Sequence, residues 1–187
     1  MRKSFKTSIN VEDSKLLYEK ALRLLDSKSD SPKAVKESLE IFRSLANQGY
    51  APAQFELGLI YYKGFGVPQD CGEAAKWFRL AEDQGDAEAQ CNLGLMYIKG
   101  LGIPQDHGEA FKWHRLAANQ GFAQSQFCLE LMYDKGHGVP QNYGEAVKWL
   151  RLAVDQGFAE AQWALDYINA NGSNWDKSCG WISKLWS

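Results

Sequence analysis

One short motif recurs in this chain at a fixed interval, and the interval restricts what the chain can fold into. Lys63-Gly64-Phe65-Gly66-Val67-Pro68-Gln69-Asp70 returns as Lys99-Gly100-Leu101-Gly102-Ile103-Pro104-Gln105-Asp106. It returns again as Lys135-Gly136-His137-Gly138-Val139-Pro140-Gln141-Asn142, so both steps are 36 residues. A period between about 20 and 50 residues denotes stacked supersecondary units, each of which needs a neighbour to cover its apolar side.

The flanks of the motif read as helices. Before it, each copy carries Ala-x-x-Gln-x-x-Leu-x-x-x-Tyr: Ala51, Gln54, Leu57 and Tyr61, then Ala87, Gln90, Leu93 and Tyr97, then Ala123, Gln126, Leu129 and Tyr133. After it, Ala74, Trp77, Phe78 and Ala81 fall at i, i+3, i+4 and i+7, one helical face. Ala110, Trp113 and Ala117 repeat that face, as do Ala146, Trp149 and Ala153. Each copy closes on Gln-Gly, giving boundaries at 50–85, 86–121 and 122–157. Within the motif, Gly64 suits a left-handed helix terminus and Gly66 a second unusual backbone angle. Val67 anchors the loop, Pro68 keeps its predecessor extended, and Asp70 with Glu73 forms a capping-box variant. Gly58 and Gly94 lie inside first helices, where glycine costs roughly 1 kcal/mol, so close helix approach is expected there. Glu130 and Asp166 occupy that register in later copies, so the contact is expected to change toward the C-terminal end.

The ends depart from the pattern. Residues 1–12 are polar and aperiodic and are expected to be flexible. Residues 13–49 form a degenerate helix pair. Leu17, Ala21, Leu24 and Leu25 mark one face of the first helix, which stops near Ser27–Asp30. Ser31-Pro32 starts the second, with Ser31 as a side-chain cap, and Val35, Leu39, Phe42, Leu45 and Ala46 form its apolar side. Residues 158–187 begin a fourth copy and then diverge. Trp175, Cys179, Ile182 and Trp186 share a face, which predicts a closing helix over 173–186.

Net charge of -2 and a pI near 5.9 leave no general basic footprint for nucleic acid or a membrane surface. No apolar run approaches the roughly 18 residues of a membrane span, and the first ten residues lack an apolar signal core. A cytoplasmic location is the expectation. Cys71, Cys91, Cys128 and Cys179 do not follow the repeat period and are read as free thiols.

The combined pattern strongly resembles the Sel1-like repeat family, which is related to tetratricopeptide repeats. It rests on Leu57-Gly58-x-x-Tyr61, Lys63-Gly64-x-Gly66-Val67-Pro68-x-Asp70, Ala74-x-x-Trp77 and Ala81…Gln84-Gly85. The resemblance implies an all-α, right-handed α/α superhelical solenoid with first helices on a concave face. It also implies a bacterial-type adaptor or scaffold that holds proteins together.

Several residues invite sharper readings. The Gly64-x-Gly66 pair follows a helix and occurs three times, so it is a turn and not a phosphate cradle. His107, His114 and His137 are spread over successive units about 10 Å apart, too far for a shared metal. Trp77, Trp113 and Trp149 hold a fixed register and read as packing. Lys76, Lys112, Lys148, Arg79, Arg115 and Arg151 form a solvated basic ridge, partly paired with residues such as Glu73. The positions that vary while the frame stays fixed are the informative ones. Phe55, Leu59 and Tyr62 form a second stripe on the first helix, continued by Cys91 and Ile98, by Phe127 and Asp134, and by Trp163 and Tyr167. Glu56, Asn92 and Asp134 supply a polar edge. This stripe is the candidate surface for a partner protein or peptide, with aromatic anchors. No catalytic, metal or cofactor residue is assigned, and the chain is read as a non-enzymatic scaffold. The alternatives are a hydrolase acting on cell-wall or β-lactam-like substrates, for which no Ser-x-x-Lys motif is present, and weak self-association through the Trp-rich tail.

Overall fold

The computed structural model of the chain describes residues 11–26 and 31–171. The predicted closing helix, the tail tryptophans and the Ser27–Asp30 break lie outside them. Among the described residues there are nine helices and no strand. The chain divides into two compact units, Met1–Gln84 and Gly85–Ser187.

The first unit holds α1 (Val11–Asp26), α2 (Pro32–Asn47), α3 (Ala51–Lys63) and α4 (Cys71–Glu82). Each helix packs on the next in sequence. Its core is Ala21, Leu39, Phe42, Leu45, Ala46, Ala53, Leu57 and Ile60. The apolar side of α2 is as expected, but α1 is turned. Leu17 is exposed, and the buried face runs through Ser14, Tyr18 and Ala21. Tyr18 sets this rotation by making edge contacts with Phe42 and Tyr50, at 5.8 and 5.7 Å between ring centroids. Ser38 Oγ adds a hydrogen bond to the Ala21 carbonyl at 2.9 Å. Ser31 does not cap α2 through its side chain. Its backbone carbonyl accepts from Ala34 and Val35 instead.

The second unit holds α5 (Ala87–Lys99), α6 (His107–Asn119), α7 (Ala123–Lys135), α8 (Tyr143–Asp155) and α9 (Ala159–Asn171). Here too each helix from α5 to α8 packs on its successor. One cluster joins α7, α8 and α9 through Phe127, Leu131, Leu150, Ala153, Ala161 and Ala164.

The recurrent loop exists to satisfy the end of the first helix. The last carbonyls of a helix have no partner inside it. Gly64 is left-handed at φ 71°, and its N–H and that of Phe65 both donate to the Ile60 carbonyl. The Asp70 N–H reaches back to the Tyr61 carbonyl at 3.0 Å, and Gln69 Nε2 donates to the Tyr62 carbonyl at 2.8 Å. Gln105 and Gln141 do the same for Ile98 and Asp134 in the second unit. Asp70 then caps α4 by accepting from the Glu73 N–H, and Asp106 and Asn142 cap α6 and α8 likewise. The reciprocal half of the capping box does not form. The cap residue's N–H is already committed to the preceding helix, and Glu73, Glu109 and Glu145 turn to Lys76, Lys112 and Lys148.

The second helices end in Schellman turns. In the first unit Gly49 and Tyr50 donate to the Ala46 and Leu45 carbonyls. In the second unit Gly121 and Phe122 donate to Ala118 and Ala117. Close approach explains the glycines inside the first helices. A Cβ on Gly58 would meet the Phe78 ring at 2.5 Å, and one on Gly94 the His114 ring at 2.7 Å.

Two left-handed glycines of the second unit separate backbone freedom from space. Gly121 (φ 90°) has nothing within 4 Å of a Cβ, whereas a Cβ on Gly138 (φ 72°) would lie 2.0 Å from the His107 carbonyl oxygen. Gly121→Ala is expected to cost about 1–2 kcal/mol, the ordinary left-handed penalty. Gly138→Ala is expected to cost at least about 1–3 kcal/mol more, because backbone must move. Urea unfolding midpoints of the two variants check the order.

Candidate functional site

The eleven residues of the predicted stripe separate by environment. In the first unit Phe55, Glu56, Leu59 and Tyr62 are all half-buried along α3. Phe55 leans on Phe78 at 5.7 Å between centroids. Glu56 accepts a hydrogen bond from the Tyr18 hydroxyl at 3.2 Å, which orients its carboxylate. Beside these residues lies a cleft of about 210 Å³, lined by Leu25, Glu56, Leu59, Ile60, Lys63 and Phe65. Its walls are apolar, and Glu56 and Lys63 stand two helical turns apart on its edge. Phe65 is 42% exposed despite its size.

In the second unit the stripe turns inward, which departs from the expectation for four residues. Cys91, Ile98, Phe127 and Asp134 are all under 4% exposed. Ile98 packs with Met132 of the next first helix, and Phe127 with Phe158, ahead of α9. Within this unit the following copy thus covers the stripe of the one before it. Asn92 is half-buried and donates to the Glu88 carbonyl of its own helix. At α9 the stripe surfaces again. Trp163 is 44% exposed and stacks on half-buried Tyr167 at 5.7 Å and 22°. Leu25, Ile60, Lys63 and Phe65 were absent from the sequence-derived site. Phe65 carried a usable signal, because the residue between the loop glycines varies (Phe65, Leu101, His137) while its frame does not.

The histidines also differ from expectation. His107 and His137 come together, with rings stacked at 5.1 Å, although 30 residues separate them. Burial, His107 and Lys135 lower the His137 pKa. No group of three or more metal-ligating side chains occurs among the described residues. His114 Nδ1 lies 3.3 Å from Ser125 Oγ, a pairing that resembles a nucleophile and its base. Both residues are fully buried, the ring is wedged against Gly94, and burial lowers the His114 pKa to about 3. The imidazole is neutral, and no substrate reaches it.

The Sel1 repeat family model matches 51–86, 87–122 and 123–158, more than half of the chain. This chain is a Sel1 repeat protein. Two solved structures support the assignment. A protective antigen present in uropathogenic Escherichia coli strains, displaying an SLR fold, is 37% identical over 85% of this chain, with a TM-score of 0.80. A Sel1 repeat protein from Oxalobacter formigenes is 31% identical over 85%, with a TM-score of 0.74. The chain spans 34% of the first protein's length and 62% of the second's. Comparison with curated proteins gives no match. The helical-repeat solenoid class of these Sel1 neighbours is the all-α class expected from the 36-residue period. Sel1 repeats are in general protein-interaction scaffolds and not catalysts. Among the described residues no helix is long and apolar enough to cross a membrane.

Cys71, Cys91 and Cys128 are free thiols. Burial raises the Cys91 pKa to about 11 and pushes Cys128 up as well. Half-buried Cys71, at the start of α4, is expected to be alkylated in the native protein, with Cys91 and Cys128 protected until urea unfolds it. Peptide mapping after timed labelling distinguishes the three.

Proposed function

We propose that this Sel1 repeat protein is an adaptor that holds a segment of another protein on its first-helix faces. In the first unit the segment seats an apolar side chain in the α1–α3 cleft. The exposed Trp163–Tyr167 stack of the second unit is a separate contact of the same kind for such a segment. The cleft carries this reading. Its volume of about 210 Å³ is below the roughly 300–1,000 Å³ usual for small-molecule sites and suits a single large side chain. Glu56 and Lys63 at its edge can fix the direction of a bound chain, and the exposed aromatic residues Phe65 and Trp163 are the type that dominates binding energy.

The reading is tested by affinity capture from the native cell with mass spectrometry, using the wild type and two variants. Leu59→Glu with Phe65→Ser should remove the captured partner, and Trp163→Ser should weaken capture, each with unchanged helical circular dichroism. Loss of about 2 kcal/mol per anchor corresponds to roughly 30-fold in affinity. Capture that both variants leave intact would place the binding surface elsewhere.

A further inference from the structure

Glu130 stands in α7 where the two preceding copies carry Gly58 and Gly94. There, the missing side chain makes room for a ring, Phe78 or His114. The residue in the ring's register for the third copy is Leu150, which is fully buried. In the third copy a carboxyl side chain thus stands at the glycine's register and an aliphatic one at the ring's. The carboxyl is sealed in: Glu130 is 1% exposed, and neither of its oxygens has a hydrogen-bond partner. One turn further on, Asp134 is 2% exposed, with Oδ2 lying 3.2 Å from Lys135 Nζ. Helix α7 thus carries two buried acidic side chains on adjacent turns, where the first copy has Gly58 and Tyr62.

We propose that Glu130 couples the packing of α7 against α8 and α9 to proton concentration, the third copy being closed while this carboxyl is neutral and opening when it ionises. An ionised carboxylate that is buried without a hydrogen-bond partner is strongly disfavoured, so the closed form retains the proton. Burial first and the Asp134 charge second raise the pKa of Glu130 well above 4.5, and Lys135 opposes them. Cys128, two residues back on α7, is also buried, beside the buried Cys91 of α5. Helix α8 contributes the buried apolar residues Ala146, Leu150 and Ala153 to this core. Its Lys148, Arg151 and Asp155 are exposed and Glu145 is half-buried. Glu160 and Asp166 on α9 are exposed. On α6 the buried ionisable group is His114, held neutral by burial.

The sign follows from proton counting. The closed form binds one more proton than the open form between the ordinary carboxylate value and the raised one. Closed-state stability is therefore complete in acid and falls as pH rises through that window. Helix α9 rests on α7 and α8 through Phe127, Leu131, Leu150, Ala161 and Ala164, so opening releases α9 and its Trp163–Tyr167 stack.

Hydrogen exchange of the full chain, followed by mass spectrometry from about pH 5 to 9 and corrected for intrinsic exchange, tests the coupling. In the wild type the opening constant of α7–α9 amides should rise by up to about tenfold per pH unit, with α5 amides flat. Glu130→Gln should abolish the slope. The double variant Glu130→Gly with Leu150→Phe, which restores the pairing of Gly58 and Phe78, should abolish it too and serves if the glutamine variant fails to fold. Asp134→Asn should bring the plateau to lower pH. A flat wild-type profile, or the same slope in the variants lacking Glu130, overturns the proposal.

Discussion

The structure depends on how helix-end carbonyls find donors, and glutamine side chains supply a large share of them. Gln54, 4% exposed, donates from Nε2 to the Ala46 carbonyl at the end of the preceding second helix. Its Oε1 accepts from Gln84 Nε2 at 2.8 Å, at the end of its own second helix. One buried amide thus ties three helices of the first unit together. Gln126 does the same in the second unit, with Ala118 and Gln156 as partners. A buried amide is tolerated only when both ends are satisfied, so the clasp specifies the register of the stack as well as holding it. Gln162 shows the converse. It is exposed and bonds Asp166 of its own helix.

The period made the fold legible, because the spacing of Gly64, Pro68 and Asp70 has a local meaning that no distant contact alters. The helix glycines could be interpreted for the same reason. A residue such as Gly58 that costs stability must gain it in packing, and Phe78 is the packing. The role of the closing glutamines was not legible. Gln84 meets Gln54 across 30 positions, and neither the periodicity nor the cap rules imply that pairing. Tyr18 escaped for a similar reason. Its two aromatic partners, Phe42 and Tyr50, lie on other elements and rotate α1 away from the face that leucine spacing suggests.

The candidate surface was legible only in part. A variable position on a repeat frame means either a ligand contact or an adjustment to a neighbouring repeat, and the sequence alone does not separate these. Phe55 and Phe127 occupy the same register, yet the first is half-buried and the second sealed against Phe158. Trp163 in that register is open. Glu130 was visible as a break in the glycine pattern, but its isolation depends on burial, which a pattern does not report. The stacked pair His107 and His137 was excluded by unit spacing, although a loop bridges what two helix axes would keep apart.

The loop glycines have a consequence for how such a chain can change length. A Cβ on Gly66 would collide with Val35 of the second helix before it, and one on Gly138 with the His107 carbonyl at the same register. These two loops are therefore shaped by the preceding second helix of their own unit as well as by their own copy. Duplication or loss of a whole period preserves that fit, whereas an insertion that offsets the phase puts a loop against the wrong turn. Whole periods of 36 residues are thus the natural unit by which such a stack can lengthen or shorten.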